Sequence, residues 1–144
     1  MDELHLRGAP RFLEGVFMKL RCLILAASLV VPAGAAFAEG DAVAGAKVFK
    51  QCQACHTATE PKNKVGPSLM GVIGRPVATV EGFKYSKAMT EFGADGKVWS
   101  EELLTEYLPK PRDLVKGTTM TFAGLKKPED IANVIAYLKN PAAQ

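Results

Sequence analysis

The sequence is poor in the residues that most often build metal sites and crosslinks, with two histidines and three cysteines among 144 residues. It also lacks a strong charge of either sign, since 18 Lys and Arg stand against 15 Asp and Glu for a formal net charge of +3. A balance that weak, with no basic stripe, argues against a nucleic-acid partner. Long hydrophobic runs are missing too. The main apolar stretch, Cys22 to Ala38, is 17 residues long and interrupted by Pro32 and Gly34, which puts it at the short limit for crossing a bilayer. No internal repeat, low-complexity tract or second domain is visible, and the length fits one domain.

What that apolar stretch does have is the pattern of a targeting segment. Lys19 and Arg21 precede it, and Ala36-Phe37-Ala38 supplies the small-x-small site of a signal peptidase, with cleavage between Ala38 and Glu39. The chain therefore divides into an N-terminal extension and signal peptide over 1–38 and a domain over 39–144. Secretion to the periplasm follows, and an uncleaved membrane anchor is the competing reading. The residues before Met18 include Asp2, Glu3 and Glu14 and have no signal-peptide character, so Met18 stands beside Met1 as a candidate start. Cys22 lacks the small apolar residues that a lipoprotein site needs before it. The domain itself carries 14 basic and 12 acidic side chains, a formal charge of +2.

Two of the three cysteines fall in Cys52-Gln53-Ala54-Cys55-His56. Cys-x-x-Cys-His is the attachment signature of haem c. Two thiols separated by two residues on a helical turn reach the two vinyl groups along one porphyrin edge, and the next imidazole then faces the iron. A disulfide or a thioredoxin-like redox pair would use the cysteines but not the histidine, and no βαβ pattern surrounds them. A structural zinc ion needs four ligands, and two Cys with one His fall short. One haem c, bound through Cys52 and Cys55 with His56 as iron ligand, is the reading that uses all three residues. A bound group of that size also supplies apolar volume to a domain too small for a large core of its own.

The other histidine, His5, precedes the targeting segment, so bis-histidine ligation is excluded in the mature chain. Candidates for the sixth ligand are Met70, Met89, Met120, a lysine, or none. Met70 and Met89 have core packing as their default reading. Met120 lies in a loop between Gly117 and Gly124, joining two helical patterns, and position favours it. A thioether there would raise the reduction potential.

Three helices are expected in the domain. The first runs from Asp41 as N-cap through Gly45, Val48 and Phe49 to the Cys-x-x-Cys-His motif. Another follows Ser100, with Leu103, Leu104, Tyr107 and Leu108 as its buried side and Pro109 and Pro111 ending it. The last opens at Pro128, with Glu129 and Asp130 at its positive end and Ile131, Val134, Ile135 and Leu138 at i, i+3, i+4 and i+7. Ser86 to Phe92 reads as a further turn or two. Residues 56–85 show no sustained periodicity and read as a long loop able to wrap a haem.

Taken with the haem motif, Lys64-Val65-Gly66-Pro67-Ser68-Leu69, Gly71-Val72-Ile73-Gly74-Arg75, Gly82-Phe83-Lys84-Tyr85-Ser86, Trp99, Tyr107-Leu108 and Lys116 to Gly124 resemble class I cytochrome c, in its mitochondrial cytochrome c and bacterial cytochrome c2 branch. The resemblance covers almost the whole of 39–144. It implies an all-α fold, three main helices plus long loops wrapped around one covalent haem. It also implies that the Pro67 carbonyl accepts from the His56 ring, that Arg75, Tyr85 and Trp99 hold a haem propionate, and that Tyr107 and Thr118 offer hydroxyls near the Met120 sulfur and the inner propionate. Gly45, Phe49, Val134 and Tyr137 match the crossing of the first and last helices. Met89, Thr119 and Asp113 depart from the mitochondrial pattern, the last two thinning a ring of lysines. Lys50, Lys62, Lys64, Lys110, Arg112, Lys116, Lys126 and Lys127 remain as docking candidates. The implied function is that of a monomeric one-electron carrier, not an enzyme, working between membrane-bound redox complexes: a cytochrome bc1-type donor and an oxidase or photosynthetic reaction centre as acceptor. An open-iron peroxidase or gas sensor, and a subunit held permanently on the membrane, are the alternatives.

Overall fold

The computed structural model describes residues 39–141, and the targeting segment read over 1–38 lies outside them. Among the described residues, five helices follow in chain order: α1 (Ala42–Phe49), α2 (Lys87–Gly93), α3 (Glu101–Tyr107), α4 (Pro111–Leu114) and α5 (Pro128–Lys139). The described residues contain no strand, only one isolated antiparallel bridge between Pro76 and Val98. None of these helices is long and apolar enough to cross a membrane.

Three of the described helices start where a side chain satisfies the first backbone N–H groups. The Asp41 carboxylate accepts from Val43 and Ala44, the Ser86 hydroxyl from Met89, and the Ser100 hydroxyl from Leu103. α4 and α5 instead open on proline, whose missing N–H costs nothing in the first turn. Pro111 therefore does not merely end the preceding helix as expected. α3 has already stopped at Tyr107, and Pro111 begins a separate short helix.

The fold is closed by α1 crossing α5. Val48 and Phe49 pack with Ile131, Val134, Ile135, Tyr137 and Leu138 in one buried cluster, and the Phe49 and Tyr137 rings lie 5.1 Å apart. Gly45 sits directly against the Asn133 carbonyl and the Tyr137 Cβ, so that any side chain there would overlap α5 backbone. Gly40 makes the same close approach to the Ala132 carbonyl. Beside them the buried Asn133 side chain accepts from the Asp41 N–H at 2.8 Å, tying the start of α1 to the middle of α5. Asn133→Ala should cost about 1–3 kcal/mol, because it orphans that N–H in a partly buried place. A urea midpoint unchanged from wild type would show that the bond contributes nothing.

Residues 57–85 contain no helix. They are held by side chains bonding backbone. The buried Thr57 hydroxyl serves the Glu60 and Lys62 carbonyls at 2.9 and 2.8 Å and meets the buried Ser68 hydroxyl at 3.2 Å. A second buried cluster joins Val77 of this loop to Met89, Tyr107 and Val115 and packs against Trp99 and Met120.

Candidate functional site

The Cys-x-x-Cys-His segment continues α1 as a wound turn. The Cys52 N–H donates to the Phe49 carbonyl at 2.7 Å, and the Cys55 and His56 N–H groups donate back to the Cys52 carbonyl at 3.0 and 2.9 Å. That winding brings Cys52, three residues before Cys55, close to the Cys55–His56 pair, so both thiols and the imidazole share one wound segment. Both sulfurs are free thiols, Cys52 half-buried and Cys55 exposed. Burial pushes the Cys52 thiol up, and the nearby Cys55 adds to the effect.

These residues line a cavity of about 310 Å³ reached from every part of the domain. α1 gives Phe49, the loop after His56 gives Pro67, Leu69, Val72 and Arg75, and the chain before α2 gives Phe83 and Tyr85. Trp99, Leu104, Tyr107 and Leu108 come from α3 and its approach, Thr118, Met120 and Phe122 from the loop after α4, and Val134 and Leu138 from α5. All ten residues singled out in the sequence, Cys52, Cys55, His56, Pro67, Arg75, Tyr85, Trp99, Tyr107, Thr118 and Met120, meet at this one cavity.

The His56 ring is fixed in place. Its Nδ1 lies 2.7 Å from the Pro67 carbonyl, which can only accept, so Nδ1 carries the proton and Nε2 is left with its lone pair. Burial lowers the imidazole pKa more than that bond raises it, which favours the neutral ring a metal requires. Gly66 lies under the ring, where a Cβ would overlap His56 Cε1. The Gly66 N–H also donates to the Cys55 carbonyl at 2.9 Å, so the loop folds back over the motif it follows.

Met120 is held by two hydroxyls. The Tyr107 O–H donates to Sδ at 3.3 Å, and the Thr118 hydroxyl accepts from the Met120 N–H at 3.3 Å. Burial pushes the Tyr107 phenol up to about 12. Gly124 at φ +90° packs against the Pro109 carbonyl, and the Leu125 N–H donates to the Leu108 carbonyl at 2.9 Å, anchoring the far end of the Met120 loop on the end of α3. Of the competing methionines, Met70 is 42 % exposed rather than core, because its loop turns it outward, while Met89 is buried in the second cluster and also lines the cavity, with no hydroxyl among the described residues engaging its sulfur as Tyr107 engages that of Met120.

The remaining polar groups present hydrogen-bond donors. Arg75 donates to the Ser68 and Met70 carbonyls at 2.9 and 3.0 Å, which leaves part of its five-donor fork for the cavity it lines. The Trp99 ring stands edge-on to Tyr107 at 4.9 Å. Tyr85 accepts from the Val80 N–H at 3.2 Å, and its own O–H remains available as a donor.

The chemistry of this donor set fits a haem. Two free thiols and a neutral imidazole on one turn adjoin an apolar cavity, a thioether lines the same cavity, and donors of the kind that hold carboxylates stand on its wall. Val72, Leu69, Phe83 and Phe122 complete the apolar lining. The sequence shows them only within the motifs that carry the resemblance and assigns them no role, since an apolar residue facing a cavity and one facing the core read alike.

The chain matches the family described as Cytochrome c over residues 42–141. It is 53 % identical over 102 residues to a cytochrome c2 of Afifella marina, covering 69 % of this chain and 82 % of that one. It is 45 % identical over 101 residues to a cytochrome c2 of Agrobacterium tumefaciens, covering 69 % and 91 %. Among solved structures, cytochrome cH from Methylobacterium extorquens is similar at a TM-score of 0.64 and 40 % identity, covering 69 % of this chain and 98 % of that one. With an all-α fold and the thiols of Cys52 and Cys55 available to hold haem c covalently, this chain belongs to the cytochrome c family, whose members carry electrons and are not enzymes.

Proposed function

We propose that the mature protein, beginning at Glu39, is a soluble periplasmic carrier that moves single electrons between membrane-bound redox complexes, with His56 and Met120 as the two axial ligands of its iron. The haem, when bound, supplies the one-electron chemistry by cycling its iron between ferric and ferrous states. The protein's part is to hold and orient. The observation that carries the ligand assignment is the paired restraint: Nδ1 of His56 is engaged by the Pro67 carbonyl, and the Met120 thioether is engaged by Tyr107. Ligands whose positions are set in advance move little on electron gain or loss, and that suits rapid exchange. Arg75, Tyr85 and Trp99 would receive the propionates, because a carboxylate taken from water without donors is costly. A complex with cytochrome bc1-type chemistry as donor, and an oxidase or photosynthetic reaction centre as acceptor, fits a monomeric carrier of this type.

Intact mass and absorption of the protein, exported from a host competent in cytochrome maturation, test this together. The expected product starts at Glu39, is heavier than its polypeptide by one haem, and keeps its colour through acid extraction. Cys52→Ala with Cys55→Ala should lose the added mass. A colourless product no heavier than its amino acids would overturn the haem, and a retained leader would favour a membrane-held subunit.

A further inference from the structure

The loop that follows His56 contains a hydrogen-bond chain that ends on its ring. The His56 Nδ1–H donates to the Pro67 carbonyl at 2.7 Å. That carbonyl belongs to the same peptide group as the Ser68 N–H, which donates to the Asn63 side-chain oxygen at 3.0 Å. The Asn63 amide nitrogen in turn donates to the Glu81 carbonyl at 3.0 Å, so the amide can point only one way. The peptide between Pro67 and Ser68 is thus polarised from its N–H side by Asn63 while its carbonyl serves the histidine. Bonds in such a chain strengthen one another. The Ser68 side chain adds rigidity, since its hydroxyl donates to the Glu60 carbonyl at 2.6 Å.

We propose that Asn63 is a positioning residue for the haem ligand: through the Pro67–Ser68 peptide it raises the electron-donating power of His56 and so lowers the reduction potential of the bound iron. This rests on His56 being the iron ligand. A partner on the non-ligating nitrogen makes an imidazole more basic, and a more basic ligand favours the ferric state. Asn63 does this without touching the ring or the haem, from a site separated from His56 by one peptide.

The test compares Asn63→Asp and Asn63→Leu in the haem-loaded protein. Both lose the amide N–H that reaches Glu81, so any loosening of the loop is common to the two. Aspartate keeps a stronger acceptor for the Ser68 N–H, and leucine keeps none. Asn63→Leu should shift the reduction equilibrium about threefold toward ferrous, ~28 mV upward at about 59 mV per tenfold. Asn63→Asp should shift it the other way, by more than Lys62→Gln, which makes the same change in charge one residue away at an exposed site. The His56 Nδ1–H proton resonance should move downfield in the aspartate variant and upfield in the leucine variant. Shifts of the same sign in both variants, or an aspartate effect no larger than that of Lys62→Gln, would overturn the relay. His56 ring resonances in wild type that ignore the oxidation state would instead overturn the ligand assignment on which it stands.

Discussion

The Met120→Ala protein is expected to keep its covalent haem and lose its sulfur ligand. Attachment depends on Cys52 and Cys55, on the far side of the sequence from the Met120 loop, so the haem should load normally. What disappears is the thioether that Tyr107 and the Thr118–Met120 turn hold at the cavity. The weak near-infrared band of iron–sulfur charge transfer should vanish from the oxidised spectrum. Because methionine ligation favours ferrous iron, the potential should fall by at least about tenfold in the reduction equilibrium, ~59 mV. The reduced variant should bind carbon monoxide at neutral pH where the wild type does not. Survival of the near-infrared band would show that another group is the ligand, and carbon monoxide binding by the wild type would point to an open iron and to gas-binding or peroxidase chemistry.

Gly45→Ala should destabilise the protein by about 1–3 kcal/mol, although the same exchange inside an ordinary helix would stabilise it by about 1 kcal/mol. The sign reverses because Gly45 is where α1 meets α5. A methyl group built there overlaps the Asn133 carbonyl and crowds the Tyr137 Cβ, and relief would require the two helices to move apart along the Phe49–Tyr137 contact. Overpacking of a close crossing is costly for that reason. Against a total stability on the order of 5–15 kcal/mol, such a loss is easily seen as a lower urea midpoint at unchanged slope. A midpoint equal to or above wild type would mean that the crossing is looser than the structure has it.

How much of this could be read from residues alone depended on what holds each part. α5 was legible because its stability comes from a periodic apolar face with Pro128 at its head. α1 and α3 were legible from their caps, Asp41 and Ser100. α4 was not, because Pro111 is at once a reason for one helix to stop and a good first residue for the next. The loop over 57–85 left no trace in the hydrophobic pattern, since Thr57, Asn63 and Ser68 secure it by side-chain bonds to backbone that have no period. The haem motif announced itself through spacing, and Met120 through its place in a glycine-bounded loop. Asn63 gave no signal at all, being one polar residue in a polar stretch until the Ser68 N–H and the Glu81 carbonyl were brought to it.

The Asp41–Asn133 bond and the seat of Gly45 on α5 join positions some ninety residues apart. Among the helices of the described residues, α1 packs only on α5, so the helix that opens the domain is completed by the one that closes it. A truncation that removes α5 therefore takes away the one helix that α1 rests on, together with the acceptor for the Asp41 N–H.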